Sequence, residues 1–315
     1  MWLELSVATA VAVVFLVWLI IAIDVHTALA VGAAASVALV AVISVSATAV
    51  QRDRTRQLVN VMSAAEAAQR AVLRPLPERL GPLELGVVYL AAAQDAQVGG
   101  DLYEAARTPF GIRLIVGDVR GKGLGAVEIA SYVLGMFREV VHEVHTLNEL
   151  ARRLDAGLTR QFGEFEEFVT AVFAEIDPDA GRLTIYDCGH PPPMLISGGA
   201  VTVLEVPAPA PPLGLLTLAD SSGAARTLKF QPGSQLLLYT DGVTEARDDR
   251  RVFYPLDERL AALRGRDGGL LEHLREDLLR HAGAPLGDDA AMLLIQAPEA
   301  WSPTSQASSA SSARA

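Results

Sequence analysis

The spacing of apolar residues divides the chain into three regimes. Residues 2–23 and 27–50 are almost unbroken apolar runs. Each is long enough to cross a bilayer as a helix, which takes about 20 residues. Asp24, Val25, His26 and Thr27 separate them and read as a tight turn. Over residues 51–74 the pattern becomes amphipathic. Leu58, Met62, Ala65 and Val72 recur near helical spacing among charged residues, and Pro75 and Pro77 end the stretch. Such a stripe pairs with a second copy of itself as a coiled coil or packs onto the domain that follows; the sequence leaves both open.

From residue 81 the periodicity alternates between strand and helix. Strand patterns run over 83–93, from 101 to 106, and over 112–119; helical patterns cover 123–143 and 147–162. Segments 168–176 and 182–187 flank Asp177-Pro178-Asp179-Ala180-Gly181, and segments 194–196 and 201–205 flank a Ser-Gly-Gly turn. Both read as hairpins. Residues 207–226, rich in Pro, Ala and Ser, read as a loop. A strand at 235–240, helices near 255–264 and 268–282, and a strand at 290–296 complete the set. Hairpin-linked strands in two blocks with helices between them predict an α+β layered fold of mainly antiparallel sheets. The expected organisation is a membrane hairpin (1–50), a helical linker (51–80), a globular domain (81–297) and a Ser/Ala-rich, disordered tail (298–315).

Composition sharpens this picture at three points. Apolar residues make up 51% of the chain, and the excess lies in the first 50 residues. No basic segment precedes the first run, which argues against a cleaved leader. Arg52, Arg54 and Arg56 follow the second run, so the positive-inside rule places the globular domain, and with it the N-terminus, in the cytoplasm. The expected location is the cell membrane, spanned more than once. The net charge of −11 argues against a nucleic-acid surface. The single cysteine, Cys188, excludes an intrachain disulfide and a cysteine-based zinc site.

The candidate chemistry is acidic. Four aspartates sit among glycines at the ends of strand patterns: Asp101 in Val98-Gly99-Gly100-Asp101, Asp118 in Gly117-Asp118-Val119-Arg120-Gly121-Lys122-Gly123, Asp241 in Tyr239-Thr240-Asp241-Gly242, and Asp288 in Gly287-Asp288-Asp289. In antiparallel sheets the end of one strand lies beside the start of its neighbour, so all four can gather at one edge. Carboxylates crowded together repel unless a cation joins them, and oxygen-only ligands suit hard ions such as Mg²⁺ or Mn²⁺. The central loop is not a P-loop: Val116 stands where that motif requires its first glycine, and Gly123 where it requires Ser or Thr.

These segments, with Cys188-Gly189-His190-Pro191-Pro192-Pro193 and Leu238 to Ala246 (Leu-Tyr-Thr-Asp-Gly-Val-Thr-Glu-Ala), occur in the order found in one family. Over residues 64–296 the chain resembles the metal-dependent serine/threonine phosphatases of the PPM (protein phosphatase 2C-like) type, in the bacterial SpoIIE/RsbU-like branch. The resemblance implies an αββα four-layer sandwich behind the two transmembrane helices. It implies two Mn²⁺ or Mg²⁺ ions, with Asp118 and Asp241 central to catalysis. Asp118 would bridge the ions, the Val119 carbonyl would serve one, and Asp241 and Asp288 would hold the other. Asp101 would lie against the ions or one water away, and Asp289 is the alternative to Asp288. A metal-activated water would attack phosphoserine or phosphothreonine on a protein, the usual substrate in this branch being a phosphorylated STAS-type anti-sigma-factor antagonist. The competing expectation is an inactive phosphoprotein-binding, scaffold or sensor module of the same fold. Homodimerisation through 51–74 is a further expectation. The chain departs from the wider family at Arg120, where a proposed general-acid histidine usually stands, which leaves the leaving-group proton donor unassigned. It also departs at Ala291, where the branch usually has threonine.

Overall fold

The computed structural model describes residues 72–91, 99–163, 167–218, 223–263, 269–283 and 286–303, together with helical stretches at 11–19 and 29–44 and the single residues 21, 27 and 51. The chain divides into two compact units, Met1–Val61 and Met62–Ala315.

In the first unit, the described helical stretches expose their large apolar side chains, Phe15, Trp18, Leu29 and Val37 among them. Among the described residues, however, no helix is long and apolar enough to cross a membrane. Residues 29–44 at 1.5 Å per residue reach about 24 Å, short of the roughly 30 Å of bilayer hydrocarbon. The fold thus does not support the expected pair of spanning helices. The remainder of both runs, most of the 51–74 stripe and the tail from 304 lie outside the described residues.

Among the described residues, the second unit contains eleven strands. One sheet comprises β1 (Arg79–Leu80), β2 (Leu83–Leu90), β7 (Met194–Ser197), β8 (Ala200–Val203), β10 (Gln235–Tyr239) and β11 (Ala290–Gln296), in the order β1-β2-β11-β10-β7-β8. The other comprises β3 (Leu102–Thr108), β4 (Gly111–Val119), β5 (Val169–Asp177), β6 (Arg182–Cys188) and β9 (Arg226–Lys229), in the order β3-β4-β5-β6-β9. Every pairing is antiparallel. Helices α1 (Leu124–Val140) and α2 (Leu147–Phe162) pack on the second sheet. After the short α3 (Asp241–Thr244), helices α4 (Leu256–Leu263) and α5 (Leu270–Ala282) pack on the first.

Period-two patterning explains the layering. In β10 and β11, Leu236, Leu238, Ala291, Leu293 and Ile295 join the core shared with the second sheet. Their neighbours Leu237, Tyr239, Ala290, Met292 and Leu294 join a separate core with Leu256, Leu260, Leu274 and Leu278 of α4 and α5. Strands buried on both faces read as continuous apolar runs, which is how 290–296 stood out in the sequence. α1 buries Ile129, Ala130, Val133, Leu134 and Phe137, a helical stripe. α2 starts where Thr146 accepts a hydrogen bond from the Glu149 N–H at 3.2 Å, a side-chain cap.

Candidate metal centre

The two sheets bring their loop-bearing ends to one edge. In the second sheet Leu102 pairs with Gly117, so Asp101 and Asp118 are the next residues in register. The Val119 N–H extends that ladder, donating to the Gly100 carbonyl at 3.2 Å. Only glycine fits at 100, since a Cβ there would lie 2.6 Å from the Val119 Cβ. In the first sheet Tyr239 pairs with Met292, and the Thr240 N–H donates to the Ala291 carbonyl at 3.0 Å. Asp241 therefore sits just beyond β10, as the first residue of α3, with Asp288 and Asp289 just before β11. A Cβ on Gly242 would fall on the Asp289 carbonyl oxygen, which ties these two segments together.

Polar struts join the sheets behind the acidic edge. The Thr240 hydroxyl donates to Asp101 Oδ2 at 2.8 Å and accepts from the Ala291 N–H at 2.9 Å. Its one proton is thus directed at Asp101. His190 forms the second strut. Its Nε2 lies 3.1 Å from the Tyr239 carbonyl and its Nδ1 3.1 Å from the Thr170 hydroxyl. A carbonyl only accepts, so Nε2 carries the proton and Nδ1 accepts from Thr170. Burial pushes the His190 pKa down to about 3, despite the bond to the Tyr239 carbonyl, so the ring is neutral. The His190 N–H donates to Asp187 Oδ1 at 2.8 Å, closing the turn ahead of Pro191. The histidine is a structural member and no proton donor at neutral pH. Cys188 is buried, and burial pushes its thiol well up, so it offers no nucleophilic thiolate.

The carboxylates share one electrostatic environment. Burial first, then the charge of Asp118, raises Asp101 well above the usual range, while the Thr240 hydroxyl works in the opposite direction. Burial, Asp241 and Asp288 raise Asp118 to about 7, against a lowering influence from Lys122. Burial, Glu245 and Asp288 raise Asp241. Asp101, Asp118, Asp241 and Asp288 thus lie near enough for the charge of one to act on another.

Among the described residues no group of three or more His, Cys, Asp or Glu side chains is arranged to hold a metal ion as it stands. The reason is visible in their partners. Asp101 is bound to Thr240. Asp288 is ion-paired to Lys122, with Nζ 2.8 Å from Oδ1. Asp289 is buried and accepts from the Gly99 N–H at 3.0 Å and from the Tyr89 hydroxyl. In kind the set nevertheless fits a hard cation: it is all oxygen, and acidic neighbours help to raise the pKa of Asp101, Asp118 and Asp241, a conflict a divalent ion relieves. Asp289, the alternative ligand, is placed as a tie between the 99–100 loop and β2. The Val119 residue that would lend its carbonyl is fully buried. Arg120 donates its N–H to the Phe168 carbonyl at 2.9 Å and stacks its guanidinium 5.3 Å above the Phe168 ring. Sequence reading missed Thr240, Tyr89 and Thr170 as supporting groups. Thr240 had a signal in its place beside Asp241; Tyr89 and Thr170 reach the site only through sheet register.

A family model described as "Stage II sporulation protein E (SpoIIE)" matches residues 108–298. The phosphoserine phosphatase RsbP of Bacillus subtilis is 27% identical over 191 residues, covering 58% of this chain and 46% of RsbP. The crystal structure of the RsbU and RsbW domains of Rv1364c from Mycobacterium tuberculosis is similar at 26% identity and a TM-score of 0.56, covering 69% of this chain and 60% of that one. The SiaA PP2C domain of Pseudomonas aeruginosa superposes with a TM-score of 0.64 at 18% identity, over 77% of this chain and 98% of that domain, a likeness of fold. The chain spans less than half the length of the curated relatives it matches.

Proposed function

The chain belongs to the SpoIIE family of PP2C-type phosphatase domains, and from that premise we propose that it is a metal-dependent protein phosphatase that hydrolyses phosphoserine or phosphothreonine. The observation that carries this reading is the set of half-buried and buried carboxylates at the converging sheet ends, with Asp118 held near 7 by burial and by its acidic neighbours. Asp118, Asp241 and Asp288, backed by Asp101, would hold Mn²⁺ or Mg²⁺, two ions in the family pattern. Bound there, such ions supply an activated water near neutral pH and neutralise charge on the phosphoryl oxygens. The chain's own residues do the positioning. Thr240 orients Asp101, and the neutral His190 strut holds β10 against β5. Arg120, exposed beside Asp118 and braced on Phe168, presents a cation to an anionic substrate. Neither Cys188 nor a serine acts as nucleophile in this scheme.

The test is release of phosphate from a phosphoserine protein with added Mn²⁺. Asp241→Asn should fold and lose at least about a hundredfold in kcat; a folded variant as active as the parent would refute the site assignment. The proposed substrate is a phosphorylated STAS-type anti-sigma-factor antagonist, in keeping with the phosphoserine named for RsbP. A location at the cell membrane and a dimer through 51–74 belong to the same proposal, motivated by the apolar runs and by the exposed apolar side chains of 11–19 and 29–44.

One observation favours a second reading. Asp101, Asp288 and Asp289 are all engaged with protein partners, as in a domain that binds a phosphoprotein without turnover. Calorimetric titration with Mn²⁺ separates the two, since absence of binding at millimolar metal selects the binding module.

A further inference from the structure

Lys122 makes an ion pair with Asp288, a carboxylate of the acidic edge, and its position is specific. It lies in the loop from β4 to α1, between Gly121 and Gly123, whose φ values of 97° and 89° are in the left-handed region that glycine tolerates. That backbone turns the lysine back over the sheet ends, and its ammonium meets Asp288, a residue of the opposite sheet, at 2.8 Å. Its charge also reaches Asp118 and Asp241.

Asp288 does not depend on the lysine for its placement. The same Oδ1 accepts the Asp289 N–H at 2.9 Å, so the backbone holds the carboxylate. The pair is also partly solvated, with side-chain exposures of 35% for Lys122 and 45% for Asp288. An ion pair of that exposure is worth little, about 1 kcal/mol or less. It is therefore strong enough to compete with a ligand and weak enough to be displaced by a divalent ion.

We propose that Lys122 is a tethered counter-ion that competes with the divalent cation for Asp288 and thereby sets the metal affinity of the site. The inference rests on the metal-dependent reading above. When the carboxylates lack a metal, the ammonium lessens their repulsion. When Mn²⁺ or Mg²⁺ binds, the Lys122–Asp288 contact breaks and the ammonium moves to solvent or to an anionic substrate. Affinity is lowered by the cost of that exchange, and the site loads only when metal is abundant.

The test is calorimetric titration of the full chain with Mn²⁺ alone, at low ionic strength. Lys122→Met should bind Mn²⁺ about two- to fivefold more tightly than the parent, and Lys122→Arg about as weakly as the parent. Without metal, Lys122→Met should melt at a lower temperature than the parent. A lysine with a merely structural role would lower stability and affinity together; that result, or an unchanged affinity, overturns the inference. Should Lys122→Met not fold, a double-mutant cycle of Lys122→Gln with Asp288→Asn asks the same question. Loss of the lysine should tighten binding only where Asp288 is intact, and an equal effect in both backgrounds overturns the inference. A parent that binds no Mn²⁺ would refute the metal-dependent reading itself.

Discussion

Strand β4 carries a charged residue near each end, and the two have opposite fates. At one end Arg113 is fully buried, yet every direction is answered. Its Nε donates to Glu175 Oε2 at 2.7 Å, and its Nη atoms donate to the carbonyls of Val141, Val144 and His145 at 3.0, 2.6 and 2.8 Å. The Phe110 ring lies 4.5 Å from the guanidinium. Five residues along, about 17 Å away and on the other face of the sheet, Asp118 is surrounded by like charge. The difference separates architecture from chemistry. The Arg113 end satisfies its charge and holds the loop after α1 in place. The Asp118 end leaves its charge in conflict, which costs stability and creates demand for a cation. Cavity size does not mark the difference: a cleft of about 1090 Å³ opens at the paired end, beside Phe110, His145 and Arg182, while one of about 320 Å³ adjoins Gly242, Glu245 and Asp288.

The largest expected effect comes from neutralising the conflicted end. Asp118→Asn should reduce phosphate release by at least about a thousandfold yet stabilise the metal-free protein at neutral pH. The sign follows from the raised pKa. Between 3.8 and about 7 the folded state holds a proton that the unfolded chain has released, so stability falls as pH rises through that window. At pH 8 the gain should be on the order of 2 kcal/mol after solvent screening, read as a higher melting temperature in chelator. A variant that melts below the parent there would erase the contrast between the two ends.

Breaking the satisfied end should do the reverse. Arg113→Met leaves Glu175 and three carbonyls without their donor and should cost about 3–5 kcal/mol in urea unfolding. Mn²⁺ affinity per folded molecule should change little, because the proposed metal centre lies at the far end of the strand. A large loss of affinity with little loss of stability would show that the two ends are coupled.

A smaller effect sharpens the boundary between them. His190 has its pKa depressed to about 3, against 6.5 when unfolded. Below pH 6.5 the unfolded chain takes up a proton that the folded state refuses, so stability present above 6.5 drains away as pH falls toward 3, by up to about 1.4 kcal/mol per pH step. His190→Gln should be less stable than the parent at pH 7 and should show a shallower decline between pH 6.5 and 5. A parallel decline would mean that the strut is not what titrates.

Much of this architecture was readable along the chain. Residues 147–162 and 290–296 behave as their patterns predicted, one because a capping threonine precedes an amphipathic stripe, the other because a doubly buried strand is apolar throughout. The strands β1 and β9 were not foreseen. β9, Arg-Thr-Leu-Lys at a sheet edge, buries almost nothing and borrows its conformation from β6. Nor was α3, four residues long and placing Asp241 on a helix start rather than a strand end. At the site, Asp101, Asp118, Asp241 and Asp288 were all recognisable as glycine-flanked aspartates. The engagement of Asp289 by Tyr89 and Gly99, and of Asp288 by Lys122, was not.

Local rules of spacing, capping and turn chemistry act over a few residues, so the amino-acid order alone determined which segments become strands or helices and which carboxylates end up on loops between them. Which oxygen meets which partner depends on the register of sheets assembled from residues up to two hundred positions apart, as Tyr89 and Asp289 are. Only the folded sandwich could decide that Arg113 would be answered and Asp118 left in want of a cation. Burial and pairing are properties of the packed core and are written in no single stretch of the chain.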